Sequence, residues 1–453
     1  MKSNPLDLFK GVITHTGIWG TIIATLVITI LGFVLFKTKF INESFVSNLE
    51  KVVINILLPF LAFYSFLNDA GKRDIKTYGI VFGASAFYYF FLTAIAILWV
   101  KLLPKVLPKK VKIRAEKEYE IYVENYQLET GKVLEQSNFL EFLQKKHLVN
   151  WLMCIYGSNI LFATPVIMAL YPTGSQLGAL SIWNILYYIG GFGLSFSLLS
   201  GIRFTKKEFK FTIKKAFLNA SFIVVMISIL LWSTQYIPGA GSTVKDLSVL
   251  EKFNYEYVNE NGQTIVKELV AIKKATFGPN FSTLYGIRVD DVIKWFTQDS
   301  ITKNYVAYNG QPTGWYNLSV TMPYFFKPIQ MLTNLVSPLI WIVIGTSLAK
   351  SNLKEVFSKG RNWLFLVFKM ILIPLFIMAI VVPLVATNVL DKSIAALLIM
   401  TGSVPPGTTI VIYSQHLKVH EKYTAQVSSL STISSFIFIP MWLAIGTIVV
   451  NSI

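Results

Sequence analysis

The feature that most constrains this chain is a series of apolar blocks, each about as long as a bilayer is thick. Ile18 to Phe36 and Ala84 to Val100 are two of them. A membrane-spanning helix needs roughly 20 such residues. In lipid every backbone N–H and C=O must find a partner inside the protein, which leaves helices or closed barrels as spanning structures. Only 14% of the residues are charged, and the mean hydropathy is +0.55. A soluble chain would carry about a quarter charged residues. The chain therefore reads as a polytopic membrane protein. The net charge of +17 does not argue for nucleic acid as a partner, because membrane proteins load Lys and Arg into cytoplasmic loops. The single cysteine, Cys154, lies in an apolar block and can form no intrachain disulfide. The first block ends at Phe36-Lys37 without a small-residue cleavage site, so no cleavable signal peptide is expected.

Ten spans are read, at approximately 16–37, 46–68, 78–103, 150–171, 176–202, 216–237, 324–349, 361–387, 393–416 and 424–450. Two polar insertions separate them. Residues 104–149 are charged and mixed in sign, with an amphipathic helix expected around Val111 to Leu148. Residues 238–323 carry turn signals at Pro238-Gly239, Gly278-Pro279 and Asn309-Gly310, and are long enough for a small folded module. Orientation follows from the short loops. Arg203 to Lys215 holds six bases and one acid, Lys350 to Arg361 four and one, and the loop with Lys37 and Lys39 is also basic. With these inside, both termini and the 238–323 insertion lie outside. The expected place is the plasma membrane of a bacterial cell.

Some apolar blocks are interrupted. Ser158-Asn159-Ile160-Leu161-Phe162-Ala163-Thr164-Pro165 is one interruption and Ser403-Val404-Pro405-Pro406-Gly407-Thr408-Thr409 is another. Proline removes a donor and clashes with the preceding turn. Paired interruptions at matching places in two halves mark the substrate site of secondary transporters. Pro59 and Pro165 in the first half match Pro338 and Pro405 in the second, once the 104–149 insertion is allowed for. The expected fold is all-α: ten transmembrane helices as two inverted five-helix repeats, with broken, crossing helices 4 and 9.

These residues also resemble a known family. Val404-Pro405-Pro406-Gly407-Thr408-Thr409-Ile410-Val411-Ile412-Tyr413, continuing to Val419-His420, is similar to the second crossover of the auxin efflux carrier family. That family includes plant PIN-type carriers and bacterial malonate or malate permeases. Ile56 to Phe63 resembles its second span, Pro440 falls where its last span has proline, and Lys369 sits where the carriers often place a base. The sequence departs from the family at Ser158, where the family usually has Asn, and at Ala163, where it has Gly. The resemblance implies a transporter, not an enzyme, with no cofactor.

At a crossover, half-helix N-termini present unpaired N–H groups and the positive end of the helix dipole, which favours a carboxylate. The candidate substrate-binding residues are Ser158, Asn159, Pro165, Pro405, Pro406, Gly407, Thr408, Thr409 and Lys369. The competing reading for the Ser, Thr and Asn side chains is ordinary helix–helix hydrogen bonding. Lys369 has three readings: attraction of an anionic substrate, bracing of the crossover carbonyls, or snorkelling to the interface. No Asp or Glu is placed deep in any span, which weakens the case for proton or Na⁺ coupling. His15, His147, His416 and His420 lack metal-ligand spacing, and no phosphate-cradling loop is present. The expected partners are a small organic anion, the lipid bilayer and, as an open alternative, a second copy in a homodimer. Two rival readings stand beside the carrier: a membrane receptor or anchor whose 238–323 module binds a partner, and a bile-acid-type Na⁺ symporter.

Overall fold

The computed structural model describes residues 14, 16–67, 74–130, 139–171, 175–200, 220–237, 240, 243–258, 263–277, 282–289, 292–299, 302–308, 312, 314–417 and 419–453. The basic loop Arg203–Lys215, His15 and the three expected turns at Pro238-Gly239, Gly278-Pro279 and Asn309-Gly310 lie outside the described residues. Two compact units emerge. The first comprises residues 1–56, 76–223 and 336–453, and the second 57–75 and 224–335.

Most of the described chain is helical, and among the described residues six helices are long and apolar enough to cross a membrane: Glu43–Tyr64, Asp74–Leu102, Ser175–Leu199, Pro323–Lys350, Gly360–Ala386 and Glu421–Ser452. Shorter apolar helices fall at Ile22–Lys37, Asn159–Met168, Phe222–Tyr236 and Lys392–Thr401. In chain order the helices are α1 (Thr16–Lys37), α2 (Glu43–Val52), α3 (Leu58–Tyr64), α4 (Asp74–Leu102), α5 (Lys109–Thr130), α6 (Phe139–Ile155) and α7 (Asn159–Leu170). Next come α8 (Ser175–Tyr187), α9 (Ser195–Leu199), α10 (Ala220–Ser233), α11 (Leu318–Thr321), α12 (Pro323–Lys350) and α13 (Leu353–Ser358). The last are α14 (Gly360–Val367), α15 (Ile373–Ala386), α16 (Lys392–Thr401), α17 (Thr408–His416) and α18 (Glu421–Ser452).

Among the described residues three long helices contain a π-turn. Val53–Leu57 joins α2 to α3, Tyr188–Leu194 joins α8 to α9, and Phe368–Leu372 joins α14 to α15. The last has a clear cause. Pro374 has no N–H for the Met370 carbonyl four residues back, and the ladder opens there. The indole Nε1 of Trp442 on α18 donates to that carbonyl at 2.7 Å instead. In the first unit α1 and α12 approach at Gly32 and Gly345. A Cβ on Gly32 would meet the Ile342 Cα at 2.8 Å, and one on Gly345 the Phe33 N at 2.7 Å. Small residues let two backbones touch where lipid supplies no driving force.

The expectation of an all-α chain is corrected. Within the second unit β1 (Thr243–Val258), β2 (Thr264–Phe277), β3 (Ser282–Val289), β4 (Val292–Gln298) and β5 (Tyr305–Tyr308) close into a barrel in sequence order. Neighbours in the meander are antiparallel, and β5 closes on β1 in parallel at Tyr255 and Tyr305. Closure removes the exposed edges that an isolated sheet would present. The interior is filled by Phe253, Ala271, Ile287 and Phe296. Alternation over Phe253 to Tyr257 of β1 is the two-residue period of a half-buried strand. The two ends of the module meet: Trp315 N–H donates to the Ala240 carbonyl at 3.0 Å, and Trp315 Nε1 to Thr234 Oγ1 at 2.8 Å.

The helix expected around Val111 to Leu148 is two helices in the structure. The first is α5, and the second, α6, starts at Phe139 and continues through Ile155.

Candidate crossover site

Two helices break, and the breaks touch. The first runs over Tyr156–Ser158, between α6 and α7, and the second over Gly402–Gly407, between α16 and α17. Gly157 and Pro406 form an antiparallel bridge. Ser158 N–H donates to the Pro405 carbonyl at 2.7 Å, and Gly407 N–H donates to the Tyr156 carbonyl at 2.8 Å. Each break thus supplies the donor and the acceptor that the other lacks, as irregular backbone at membrane depth requires.

The local sequence explains both breaks. At the second, Pro405 and Pro406 donate nothing to a helix, so the chain leaves α16 and restarts after Gly407. Extended backbone at Gly407 (φ −62°, ψ 131°) caps α17. At the first break no proline is involved. Gly157 has no side chain, and a Cβ there would meet Val404 Cγ2 at 2.7 Å and Lys369 Nζ at 2.9 Å. Only glycine lets the two backbones pair at this point.

Three of the four carbonyls that end α6 have named partners. Tyr156 N–H takes Leu152 at 2.9 Å, Lys369 Nζ takes Cys154 at 3.0 Å, and the Tyr88 hydroxyl takes Ile155 at 2.9 Å. Helix C-terminal carbonyls are otherwise unsatisfied and carry partial negative charge. Lys369 sits on the π-turn that Pro374 opens, with 1% of its surface exposed. It does not snorkel. Among the described residues it is the only charged side chain that is buried, and no carboxylate pairs with it.

Asn159 opens α7. Its Nδ2 donates to Asn184 Oδ1 on α8 at 3.0 Å, while its own Oδ1 is buried without a partner. An aromatic wall stands beside these groups. Tyr156 stacks on Tyr89 with ring centroids 5.4 Å apart, and lies 6.1 Å from Tyr187. Thr93 Oγ1 and the Tyr156 hydroxyl are 3.1 Å apart. Thr409 hydrogen-bonds the Tyr187 hydroxyl, which also leaves no space for a side chain at Gly407.

The structure therefore brings together Ser158, Asn159, Pro405, Pro406, Gly407, Thr408, Thr409 and Lys369. Pro165 is the exception, and its reading as a break is corrected. It lies inside α7, where it forfeits only the bond to the Leu161 carbonyl. The sequence reading missed Asn184, Tyr88, Tyr156 and Tyr187. A polar Asn184 inside the apolar run Ser181 to Leu186 was a usable signal, since polar groups in spans usually have a specific partner. The tyrosines gave none.

Six long apolar helices make this a multi-pass membrane protein. No curated protein matches the chain significantly. Residues 315–443, which include Lys369 and the whole second break, match the family model of membrane transport proteins, the auxin efflux carrier family, and the resemblance drawn from the sequence is shown over the part of the chain that supplies one side of the crossover.

Proposed function

We propose that this chain is a secondary transporter that carries a small organic anion, a carboxylate, by alternating access around the paired breaks. The observation that carries this reading is Lys369. A buried cation is costly unless it is paired. Lys369 is held by one carbonyl, close to where α7 and α17 begin. The positive dipole ends of those two half-helices add to the same field. A carboxylate supplies the counter-charge that the protein withholds. Asn159 Oδ1, an acceptor without a partner, suits a hydroxyl or a protonated group on the same molecule. The ten spans then form two inverted five-helix repeats, each contributing one broken helix. Among the described residues no Asp or Glu is buried, which favours transport driven by the substrate gradient or the membrane potential over coupling through a titrating carboxylate.

The test is uptake of labelled mono- and dicarboxylates into proteoliposomes under an imposed potential. Saturable uptake that Lys369→Met weakens and Pro405→Ala abolishes is the expected result. Folded, inserted protein that moves none of the panel would reject the carboxylate reading.

The barrel of the second unit gives the receptor reading one specific support, because it is a closed module with its own core. Replacing residues 243–308 by a short linker separates the two. A carrier keeps its uptake, whereas a receptor loses its ligand response.

A further inference from the structure

The segment that leaves α4 is strongly basic. Lys101, Lys105, Lys109, Lys110, Lys112, Arg114 and Lys117 stand within 17 residues, against Glu116 alone. Lys109, Lys110 and Lys112 fall in the first turn of α5, and no acid accompanies them there. That end of a helix carries the positive pole of its dipole, so cations there cost stability. The arrangement is unfavourable to the helix by itself and calls for negative charge from outside.

α5 has two faces. Ala115 and Tyr119 are buried, with Glu118 beside them on the same stripe. Ala115 packs with Leu103 and Leu143, against Trp99 of α4 and Phe139 of α6. Gln144 Nε2 also donates to the Val100 carbonyl at 3.2 Å, and Trp99 Nε1 to His147 Nδ1 at 3.3 Å. The Ala115 packing sets the first turns of α5 against the end of α4, and the two hydrogen bonds tie α4 to α6. At 100° per residue, Lys109, Lys110, Ile113 and Lys117 fall on the side opposite Ala115. All four are exposed, and Ile113 keeps 55% of its surface free. Val106, just before the helix, is 44% exposed. Basic side chains around a few exposed apolar ones, at the mouth of a membrane span, form the pattern of a lipid-headgroup surface.

We propose that the outward face of the first turns of α5, residues 109–117, ahead of the exposed Glu120 and Glu124 that follow on the same side, is a docking surface for anionic phospholipid headgroups, with Lys109, Lys110 and Lys117 meeting the phosphates and Ile113 entering the boundary of the acyl region. The occupant is the bilayer itself. Charge complementarity selects its anionic lipids, and packing on Trp99 and Leu103 makes the surface continuous with the span.

The test uses the full chain with Ile113→Cys carrying an environment-sensitive fluorophore. The native chain, whose single cysteine is buried, serves as the labelling blank. The labelled protein is reconstituted in phosphatidylcholine vesicles with and without phosphatidylglycerol. Emission shifts to the blue only where phosphatidylglycerol is present, and high salt reverses the shift by screening. Changing Lys109, Lys110 and Lys117 together to Gln abolishes it, and changing them to Arg retains it. Each lysine contributes about a factor of five to engagement with the anionic surface, so the triple Gln change weakens it about a hundredfold. The same emission in both lipids overturns the proposal, as does a shift that survives the triple Gln change. A salt-insensitive shift would mean apolar insertion without charge recognition, and would also overturn it. A shift produced by inorganic phosphate in phosphatidylcholine alone would make the surface a site for soluble phosphate, and would equally overturn it.

Discussion

Gly157 has room for a hydrogen and little else. Gly157→Ala forces its methyl into Val404 and Lys369, and overpacking of this kind costs about 1–3 kcal/mol. The expected result is a lower melting temperature together with lost uptake; normal uptake in the variant would show that the bridge to Pro406 is dispensable. Lys369→Met keeps an unbranched side chain, one atom shorter, but leaves the Cys154 carbonyl without its donor, which costs about 1–3 kcal/mol for a buried group. If Lys369 also meets the substrate, the apparent anion affinity falls as well, whereas a pure brace lowers stability alone. Measuring substrate dependence beside thermal stability separates the two roles. At this scale the sequence was legible where chemistry is rare. A lysine in an apolar span and a Pro-Pro-Gly run both pointed to the place where the two breaks meet. Pro165 misled, because one proline in a helix costs a single bond, whereas the actual break depends on Gly157 lacking a side chain. A missing side chain is a weaker signal than a proline, since glycine serves many purposes in spans.

Between elements, α5 is tied to the crossover helix by an ion pair beside its apolar packing. Glu118 on α5 pairs with Lys146 on α6 and with Arg361 on α14, the latter at 3.2 Å. Burial alone would raise the Glu118 carboxyl, but the Lys146 hydrogen bond and the Lys146, Arg361 and His420 charges outweigh it and hold it below its ordinary value. A depressed carboxylate stabilises the fold at neutral pH, and that contribution disappears as pH falls through the folded-state value. Glu118→Gln should therefore flatten the acid limb of the melting curve below the ordinary carboxylate range. His420 works in a neighbouring window. It precedes α18 in the left-handed region (φ 51°), its ring lies 4.6 Å from Phe142, and its Nε2 is 3.3 Å from the Phe142 carbonyl. Burial, reinforced by Lys146 and Arg361 and opposed by the Phe142 carbonyl, pushes its pKa down to about 4 from 6.5. The folded state then keeps the ring neutral while the unfolded chain protonates at about 6.5, so stability is lost as pH drops from 6.5 towards 4. His420→Asn tolerates the backbone angle and should remove that slope in a pH series of melting temperatures. An unchanged slope would assign it to another group. The apolar blocks were readable in outline from hydropathy. The start of α6 within the charged insertion was not, because Phe139 to His147 is amphipathic and its apolar side is used by α5 rather than by lipid.

Across the molecule, the sequence announced a module between the spans but not its strands. Alternation is clear only over Phe253 to Tyr257 of β1, β2 places Lys267 beside Glu268 and Lys273 beside Lys274, and β5 has only four residues. The barrel core of Phe253, Ala271, Ile287 and Phe296 is self-contained. An isolated 243–308 fragment should therefore fold and give a strand-type circular dichroism spectrum, with Phe296→Ala destabilising it by about 3–5 kcal/mol. A fragment that stays unfolded would make the barrel dependent on its flanking helices. The hydrogen bond between Trp315 and Ala240 gives this module a wider meaning. Because its two ends are pinned together, the strands add length to the chain without adding reach, and the flanking helices experience the whole insertion as a tight turn. Such a turn is a socket. Lineages can exchange what is plugged into it, enlarge it or delete it while the geometry of the helices on either side stays the same.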